Sequence, residues 1–471
     1  MRKDVGVDGD AQRISQLCWM FFLKIIDDQD LEMEATLEAY RSPIPANLQW
    51  RSWAGDPEGI TGESLVAFIN GELFPGLKEL DIGTNDRRAR VVRSVFEDAY
   101  NYMKSGNLTR QVLNKINEID FNDLAERRHF GEVYEQLLND LQSAGNAGEY
   151  YTPRAVTAFM VERIDPRPGE ILLDPACGTG GFLTCAIRHM RANYVKSIDD
   201  RAKLQAGLRA VEKKALPHML CVTNMLLHGI DDPSFVRHDN TLARPYISYG
   251  KDDKVDIVLT NPPFGGREED GIESNFPTHF RTRETADLFL ALIIRLLKDG
   301  GRAAVVLPDG SLFGEGVKTR LKEQLMEECN LHTIVRLPNS VFKPYASIGT
   351  NLLFFEKGTQ TKETWFYEHS VPDGQKAYSM TKPIRLEHLK ACVEWWGGES
   401  REGRVETPSA WRVGIDEVQA RGYNLDFKNP HSVADDHGDP EELLARLNEA
   451  ERDVAAIREQ LKSILAGALL R

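Results

Sequence analysis

Ile171-Leu172-Leu173-Asp174-Pro175-Ala176-Cys177-Gly178-Thr179-Gly180-Gly181-Phe182 is the stretch whose reading decides the fold. Three apolar residues ended by an acid predict a short buried strand, and the glycines after Cys177 predict a turn that opens into a helix. Glycine has no Cβ and tolerates positive φ, so the backbone amides of such a turn can approach a ligand closely. The spacing Gly178-Thr179-Gly180-Gly181 departs from the dinucleotide pattern G-x-G-x-x-G, and Asp174 at the strand end would repel a pyrophosphate. An acid there suits a ligand with an ammonium group, such as the methionine end of S-adenosylmethionine. A glycine turn that merely packs a helix on a strand is the competing explanation.

Outward from this turn, apolar runs alternate with helix-length segments. Residues 171–173, 210–212, 255–260, 303–307, 333–337 and 351–356 read as strands, and 286–298 as one of the helices between them. The alternation predicts an α/β domain: a mostly parallel sheet with helices on both faces and its ligand site at the carboxyl ends of the strands. Glu212 ends the second strand, where α/β nucleoside binders accept hydrogen bonds from ribose hydroxyls; a solvated glutamate at a helix start is the alternative. Upstream, residues 12–140 show helical spacing interrupted at 41–62, with Val112, Leu113, Ile116 and Ile119 on one face and Val133, Tyr134, Leu137, Leu138 and Leu141 on another. Residues 143–148 carry two glycines and no apolar anchor, which marks a boundary. Residues 365–430 read as irregular. In the tail, Leu443, Leu447, Ala450, Val454, Ile457, Leu461, Ile464 and Ala468 recur in alternating steps of four and three, the seam of a heptad helix offered to a partner or packed on its own domain. The expected division is a helical domain over 1–145, a catalytic domain over 146–430 and a helical tail over 431–471.

The catalytic signal is Val255-Asp256-Ile257-Val258-Leu259-Thr260-Asn261-Pro262-Pro263-Phe264. Each proline fixes φ and disfavours helix in the residue before it, so the strand ends in a rigid corner. The Asn261 side-chain oxygen and the Pro262 carbonyl can both accept from a planar NH₂ group. Two such acceptors pull its hydrogens out of plane and free the nitrogen lone pair, while Phe264 offers a ring for a base drawn out of a duplex. A plain proline turn explains the prolines but neither Asn261 nor Phe264.

The cysteines Cys18, Cys177, Cys185, Cys221, Cys329 and Cys392 include no Cys-x-x-Cys pair, so a structural zinc site has no support and the thiols read as buried in a reducing cytoplasm. The apolar run 17–23 stops at Lys24, well short of the roughly 20 residues of a membrane span. A soluble, cytoplasmic protein with no membrane contact is therefore expected. None of the cysteines follows a proline, which disfavours cytosine C5 methylation through a Pro-Cys thiolate.

Asp174 to Phe182 together with Asn261-Pro262-Pro263-Phe264 resembles the amino-methyltransferases that use S-adenosylmethionine. Residues 130–135 (Phe-Gly-Glu-Val-Tyr-Glu), 148–154 (Gly-Glu-Tyr-Tyr-Thr-Pro-Arg), 224–230 (Asn-Met-Leu-Leu-His-Gly-Ile), 240–242 and 300–308 extend the likeness to the modification subunit of type I restriction-modification systems, over about residues 90–360. The resemblance implies a Rossmann-like S-adenosylmethionine-dependent methyltransferase domain with a helical N-terminal domain and a C-terminal helix. It implies that Glu149, Tyr150, Tyr151, Thr152, Pro153 and Arg154 cap the cofactor's methionine end, that Asp174, Gly178, Thr179, Gly180 and Gly181 wrap it, and that Glu212 holds the ribose. Either Asn240 or the adjacent Asp239 would face the adenine or the target amino group, and Asn261, Pro262 and Phe264 would form the catalytic pocket. The implied activity is transfer of a methyl group to N6 of a flipped adenine in double-stranded DNA. The implied partners are a DNA-specificity subunit, a motor-nuclease restriction subunit and a second copy of the chain. A solitary amino-methyltransferase acting on DNA or RNA adenine or on a protein glutamine, and a catalytically silent assembly subunit, remain as alternatives.

The 471 residues carry 58 Lys and Arg against 72 Asp and Glu, a formal net charge of −14. An acidic total argues against a general nucleic-acid coat, but it is compatible with chemistry on one extruded base if a partner supplies readout and phosphate contacts. Arg87, Arg88, Arg90 and Arg93 could line a DNA channel, though a charged helix face is the commoner explanation.

Overall fold

The computed structural model describes residues 1–83, 86–143, 152–264, 266–343 and 348–431, and within the tail residues 444, 447–448, 451–452 and 454–461. The strands are β1 (Leu172–Asp174), β2 (Leu208–Glu212), β3 (Val236–His238), β4 (Val255–Thr260), β5 (Leu297–Pro308), β6 (Cys329–Leu337), β7 (Thr350–Lys357), β8 (Glu363–Glu368) and β9 (Ala410–Gly414). They form one sheet in the order β3-β2-β1-β4-β5-β7-β6-β8-β9. From β3 through β5 every pairing is parallel. Residues of β1 and nearly all of β4 are buried, the pattern of central strands covered on both faces. The strand order reverses between β1 and β4, so the turns that follow these two strands diverge and leave a crevice at their carboxyl ends. That crevice brings the glycine turn beside the Asn-Pro-Pro corner.

Three features depart from the sequence reading. β7 runs antiparallel to both neighbours, β5 and β6; the described residues of the connection from β6 to β7 hold no helix to carry the chain across for a parallel return. Residues 365–430, expected to be irregular, contain most of β8, all of β9 and the helices Lys390–Trp395 and Ile415–Ala420. β8 joins β6 in parallel and β9 closes antiparallel on β8, with the Phe366 and Trp411 rings stacked at 5.4 Å. Each of these strands is short, and its partner lies far away in sequence, so local pattern carries little of the signal. β3 escaped notice for the same reason, with one apolar residue among its three.

Ahead of the sheet the chain is helical: Gly9–Thr36, Trp50–Trp53, Gly62–Phe68, Ile69–Leu73, Phe74–Lys78, Arg87–Phe96, Gly106–Ile116 and Leu124–Ser143. Cys18 to Ile26 is buried almost all round, and the acids that follow are each neutralised: Asp27 by Arg51, Asp28 by Lys24 and Asp30 by Arg88. In Leu124–Ser143 the buried side chains include Tyr134, Glu135 and Leu138, while Val133, expected on the apolar face, is exposed. These helices and the sheet share one core, and Met1–Lys428 forms a single compact unit. Asn429–Arg471 is a second unit. Its described apolar residues Leu444, Leu447, Val454, Ile457 and Leu461 are all more than half exposed, and the seam positions 443, 450, 464 and 468 lie outside the described residues. Among the described residues no helix is long and apolar enough to cross a membrane.

Candidate active site

Asp174 closes β1 with only 1% of its surface exposed. The Ala176 amide donates to its Oδ1 at 3.2 Å. Burial pushes its carboxyl up to about 7, with Glu212 adding in the same direction against the Thr260 hydroxyl and the Ala176 amide. No cation pairs with Asp174 among the described residues. Beyond it the turn is held from several sides. The Gly178 amide donates to Glu212 Oε2 at 2.9 Å, and the Lys214 amide donates to Oε1 at 2.8 Å. Asn224 Nδ2 donates to the Thr179 carbonyl at 3.1 Å, and Arg154 Nη1 donates to the Gly181 carbonyl at 2.9 Å and to Thr184 Oγ1 at 3.0 Å.

The glycines have separate reasons. Gly180, at φ 84°, starts the helix Gly181–Asn193 so close to Cys221 that an added Cβ would sit 2.9 Å from the Cys221 sulfur. Gly178, at φ 54°, faces open space: an added Cβ would meet nothing within 4 Å among the described residues. A ligand can therefore lie against its backbone. An open glycine cradle, a buried carboxyl without a cation, and a second carboxylate beside them suit a ligand that carries positive charge and hydroxyl donors, as S-adenosylmethionine does.

At the end of β4, Asn261 Nδ2 donates to the Thr152 hydroxyl at 2.7 Å. Its Oδ1 is buried and has no hydrogen-bond partner among the described residues. An unpaired buried acceptor costs about 1–3 kcal/mol, so such an atom points to a donor that arrives with a ligand. Pro262 is buried behind it. Phe264, expected to present a ring to an incoming base, is only 3% exposed; its ring lies 5.8 Å from that of Phe342 at 66°. The Phe342 ring is thus packed against the ring that was expected to meet a base.

The structure thus gathers Asp174, Gly178, Thr179, Gly180, Gly181 and Glu212 around one turn, and Thr152, Asn261, Pro262 and Phe264 around the end of the next strand. Pro153 heads the helix Arg154–Ile164, whose first residue reaches back to the turn as described. Asn240 spends its side chain locally: Oδ1 accepts from the Leu242 amide at 3.0 Å and Nδ2 donates to Glu268 Oε2 at 3.3 Å. Asp239 donates its amide to the Glu212 carbonyl at 3.0 Å while its side chain is exposed 3.8 Å from Arg237. Glu149, Tyr150 and Tyr151 lie outside the described residues. Among the arginines of the helix Arg87–Phe96, Arg88 is committed to Asp30 and the Ile26 carbonyl and Arg87 pairs with Asp232, whereas Arg90 and Arg93 are exposed. Residue-by-residue reading missed Asn224, Phe342 and Glu135; Asn224 and Glu135 sit inside stretches that carry the family likeness, and no local signal marks Phe342. No cluster of three or more His, Cys, Asp or Glu side chains able to hold a metal occurs among the described residues.

The family model described as N-6 DNA Methylase matches residues 125–439, and the one described as HsdM N-terminal domain matches residues 1–116. The chain is 59% identical to the type I restriction enzyme EcoEI methylase subunit of Escherichia coli, over 100% of this chain and 96% of that protein. It is 30% identical to the EcoKI methylase subunit of Escherichia coli strain K12, over 77% of this chain and 72% of that one. A solved chain described under the complex assembly and conformational transition of the type I R-M system superposes with a TM-score of 0.83 at 36% identity, covering 99% of this chain and 96% of that chain.

Proposed function

From the premise that the chain belongs to the N-6 DNA methylase family, we propose that it is the methyltransferase subunit of a type I restriction-modification complex and methylates N6 of an adenine flipped out of double-stranded DNA, with S-adenosylmethionine as donor. The observation that carries this reading is the buried, unpaired Oδ1 of Asn261 at the strand end beside the glycine turn.

Thr152 holds the Asn261 amide by its nitrogen, which leaves the oxygen to accept from the target NH₂. The Pro262 carbonyl is the second acceptor. Both pull on N–H bonds, so the nitrogen lone pair is released toward the methyl carbon and the displaced proton passes to solvent. S-adenosylmethionine, when bound, supplies a methyl carbon on a sulfonium whose C–S bond breaks as the C–N bond forms. Asp174 and the turn from Gly178 to Gly181 hold the positively charged end, and Glu212, which accepts from the Gly178 and Lys214 amides, is placed to accept from the ribose hydroxyls as well. No protein nucleophile is needed, because positioning and hydrogen-bond polarisation carry the step. Phe264 stacks the base once Phe342 has moved.

The helical N-terminal segment and the exposed seam of the tail serve as attachment surfaces for a specificity subunit, a restriction subunit and a second copy of the chain, with sequence readout left to the specificity subunit. The free thiols of all six cysteines fit a reducing cytoplasm. The test is to express the chain with and without the products of its neighbouring genes and map N6-methyladenine in host DNA. Methylation at defined sites only with the partners is the expected result. Methylation by the chain alone would make it a solitary enzyme, and no methylation in either case would refute the assigned chemistry.

A further inference from the structure

Three stretches far apart in sequence, within residues 130–135, 152–154 and 224–229, converge on one carboxylate. Glu135, on the helix Leu124–Ser143, is buried. Its Oε1 lies 3.3 Å from Arg154 Nη2 and 3.2 Å from His228 Nε2, close enough for charge pairing but without an aligned hydrogen bond, and its Oε2 lies 2.6 Å from Arg188 Nη2, which is itself 3.2 Å from His228 Nε2. Burial pushes its carboxyl up, but the neighbouring His228, Arg154 and Arg188 outweigh it and hold the group at about 2.

Both branches of this cluster end on the glycine turn. Arg154 carries one, through its bonds to the Gly181 carbonyl and Thr184. The other runs through His228, whose Nδ1 faces the Asn224 carbonyl at 2.9 Å, and Asn224 in turn donates to the Thr179 carbonyl at 3.1 Å. Next to Glu135, Tyr134 is buried with its hydroxyl 3.3 Å from the Leu220 carbonyl and 3.2 Å from Cys18 Sγ, which fixes the helix against its neighbours. Without Glu135, Arg154 and Arg188 would lose the carboxylate they share, and the Arg154 grip on the turn would relax.

We propose that Glu135 is the positioning residue of the methyl-donor site: through Arg154 and through His228 and Asn224 it clamps the turn 178–181 from two sides, and so ties S-adenosylmethionine affinity to the seating of the helical N-terminal segment. The inference rests on the reading of that turn as the donor site. Glu135 touches neither donor nor DNA and acts only through the side chains it holds.

The test uses the full chain and titration calorimetry with S-adenosylmethionine on the parent, Glu135→Gln, Arg154→Gln and the double variant. Loss of the charged contact raises Kd about tenfold in Glu135→Gln. Because one of the two branches from Glu135 runs through Arg154, the double variant loses less affinity than the sum of the two single losses. In the assembled enzyme KM for S-adenosylmethionine rises while kcat at saturation and KM for DNA stay within about twofold of the parent. Linkage is reciprocal, so S-adenosylmethionine slows hydrogen exchange in Leu124–Ser143 of the parent and not of Glu135→Gln. Should Glu135→Gln fail to fold, Arg188→Gln, whose side chain is half-exposed, is the second variant, and it raises Kd about twofold to fivefold. Parent-like binding by folded Glu135→Gln, additive losses in the double variant, or no donor-dependent protection of the helix in the parent would each overturn the proposal. A parent chain that binds no S-adenosylmethionine would overturn the function reading and this inference together.

Discussion

The ends of β1 and β4 lie side by side and each buries a polar side chain, but with opposite electrostatic outcomes. Asp174 ends β1 as a carboxyl with no cation at hand, pushed up to about 7 by burial. Asn261 ends β4 as a neutral amide, its nitrogen held by Thr152 and its oxygen idle. The first end is completed by positive charge, the second by a neutral N–H. Under the proposed function the difference orders the site: a charged methyl donor against β1, an amino group to be methylated against β4, with the methyl passing between them.

Asn261→Ala breaks the β4 half and has the largest effect. Methyl transfer should fall about 10²- to 10³-fold, the cost of losing one preorganised donor or acceptor to the reacting group, while Kd for S-adenosylmethionine changes less than about twofold. Methylation at the parent rate would remove Asn261 from the site.

Asp174→Asn breaks the β1 half, with an expected tenfold to hundredfold rise in Kd for the donor, since a charged pair is lost in a buried setting. Its pH behaviour sharpens the contrast. In the parent, donor affinity should improve roughly fivefold to tenfold from pH 6 to 7.5 as the carboxyl ionises, whereas Asp174→Asn and Asn261→Ala leave the two ends with a flat and a parent-like profile respectively. Stability runs the other way. The folded carboxyl titrates near 7 and the unfolded one near 3.9, so its contribution is full below about pH 4 and is lost as pH rises through about 7. Ligand-free Asp174→Asn should therefore melt above the parent at pH 8, with the gap closing toward pH 4. A parent without that pH dependence would mean that Asp174 is ionised and already neutralised.

Gly180→Ala tests the turn that joins the halves. Positive φ and the approach to Cys221 predict a loss of about 1–3 kcal/mol and a rise in donor Kd of a few-fold, measured by thermal unfolding and calorimetry. Least affected are Arg90→Gln and Arg93→Gln, which change stability by no more than about 0.5 kcal/mol because both side chains are exposed on their helix. If either variant instead flattens the salt dependence of DNA binding in the assembled complex, the helix Arg87–Phe96 contacts phosphate and the charged-face explanation fails.

Local runs were legible. Asp174 to Phe182 spells strand, turn and helix in consecutive residues, and Asn261 to Phe264 spells a rigid corner after β4; in both, the chemistry and the backbone that presents it are neighbours in sequence. What depends on distant partners was not. Phe264 reads as an available ring until Phe342 is found against it. Asn240 reads as a ligand contact until Leu242 and Glu268 take up its side chain. The tail seam shows apolar residues at heptad spacing, and its described members are indeed exposed.

By itself the sequence determined the α/β class, the glycine turn with its acid, the Asn-Pro-Pro-Phe corner and hence the class of reaction, because each rests on residues within a few positions of one another. Tertiary structure alone decided which atoms are spent and which are free: that Thr152 takes the Asn261 nitrogen and leaves its oxygen, that burial holds Asp174 half-titrated near neutrality, and that Glu135 collects Arg154, Arg188 and His228 behind the turn. The reason is physical. Burial, pairing and desolvation depend on what packs around a group, and its neighbours here come from segments up to about a hundred residues away.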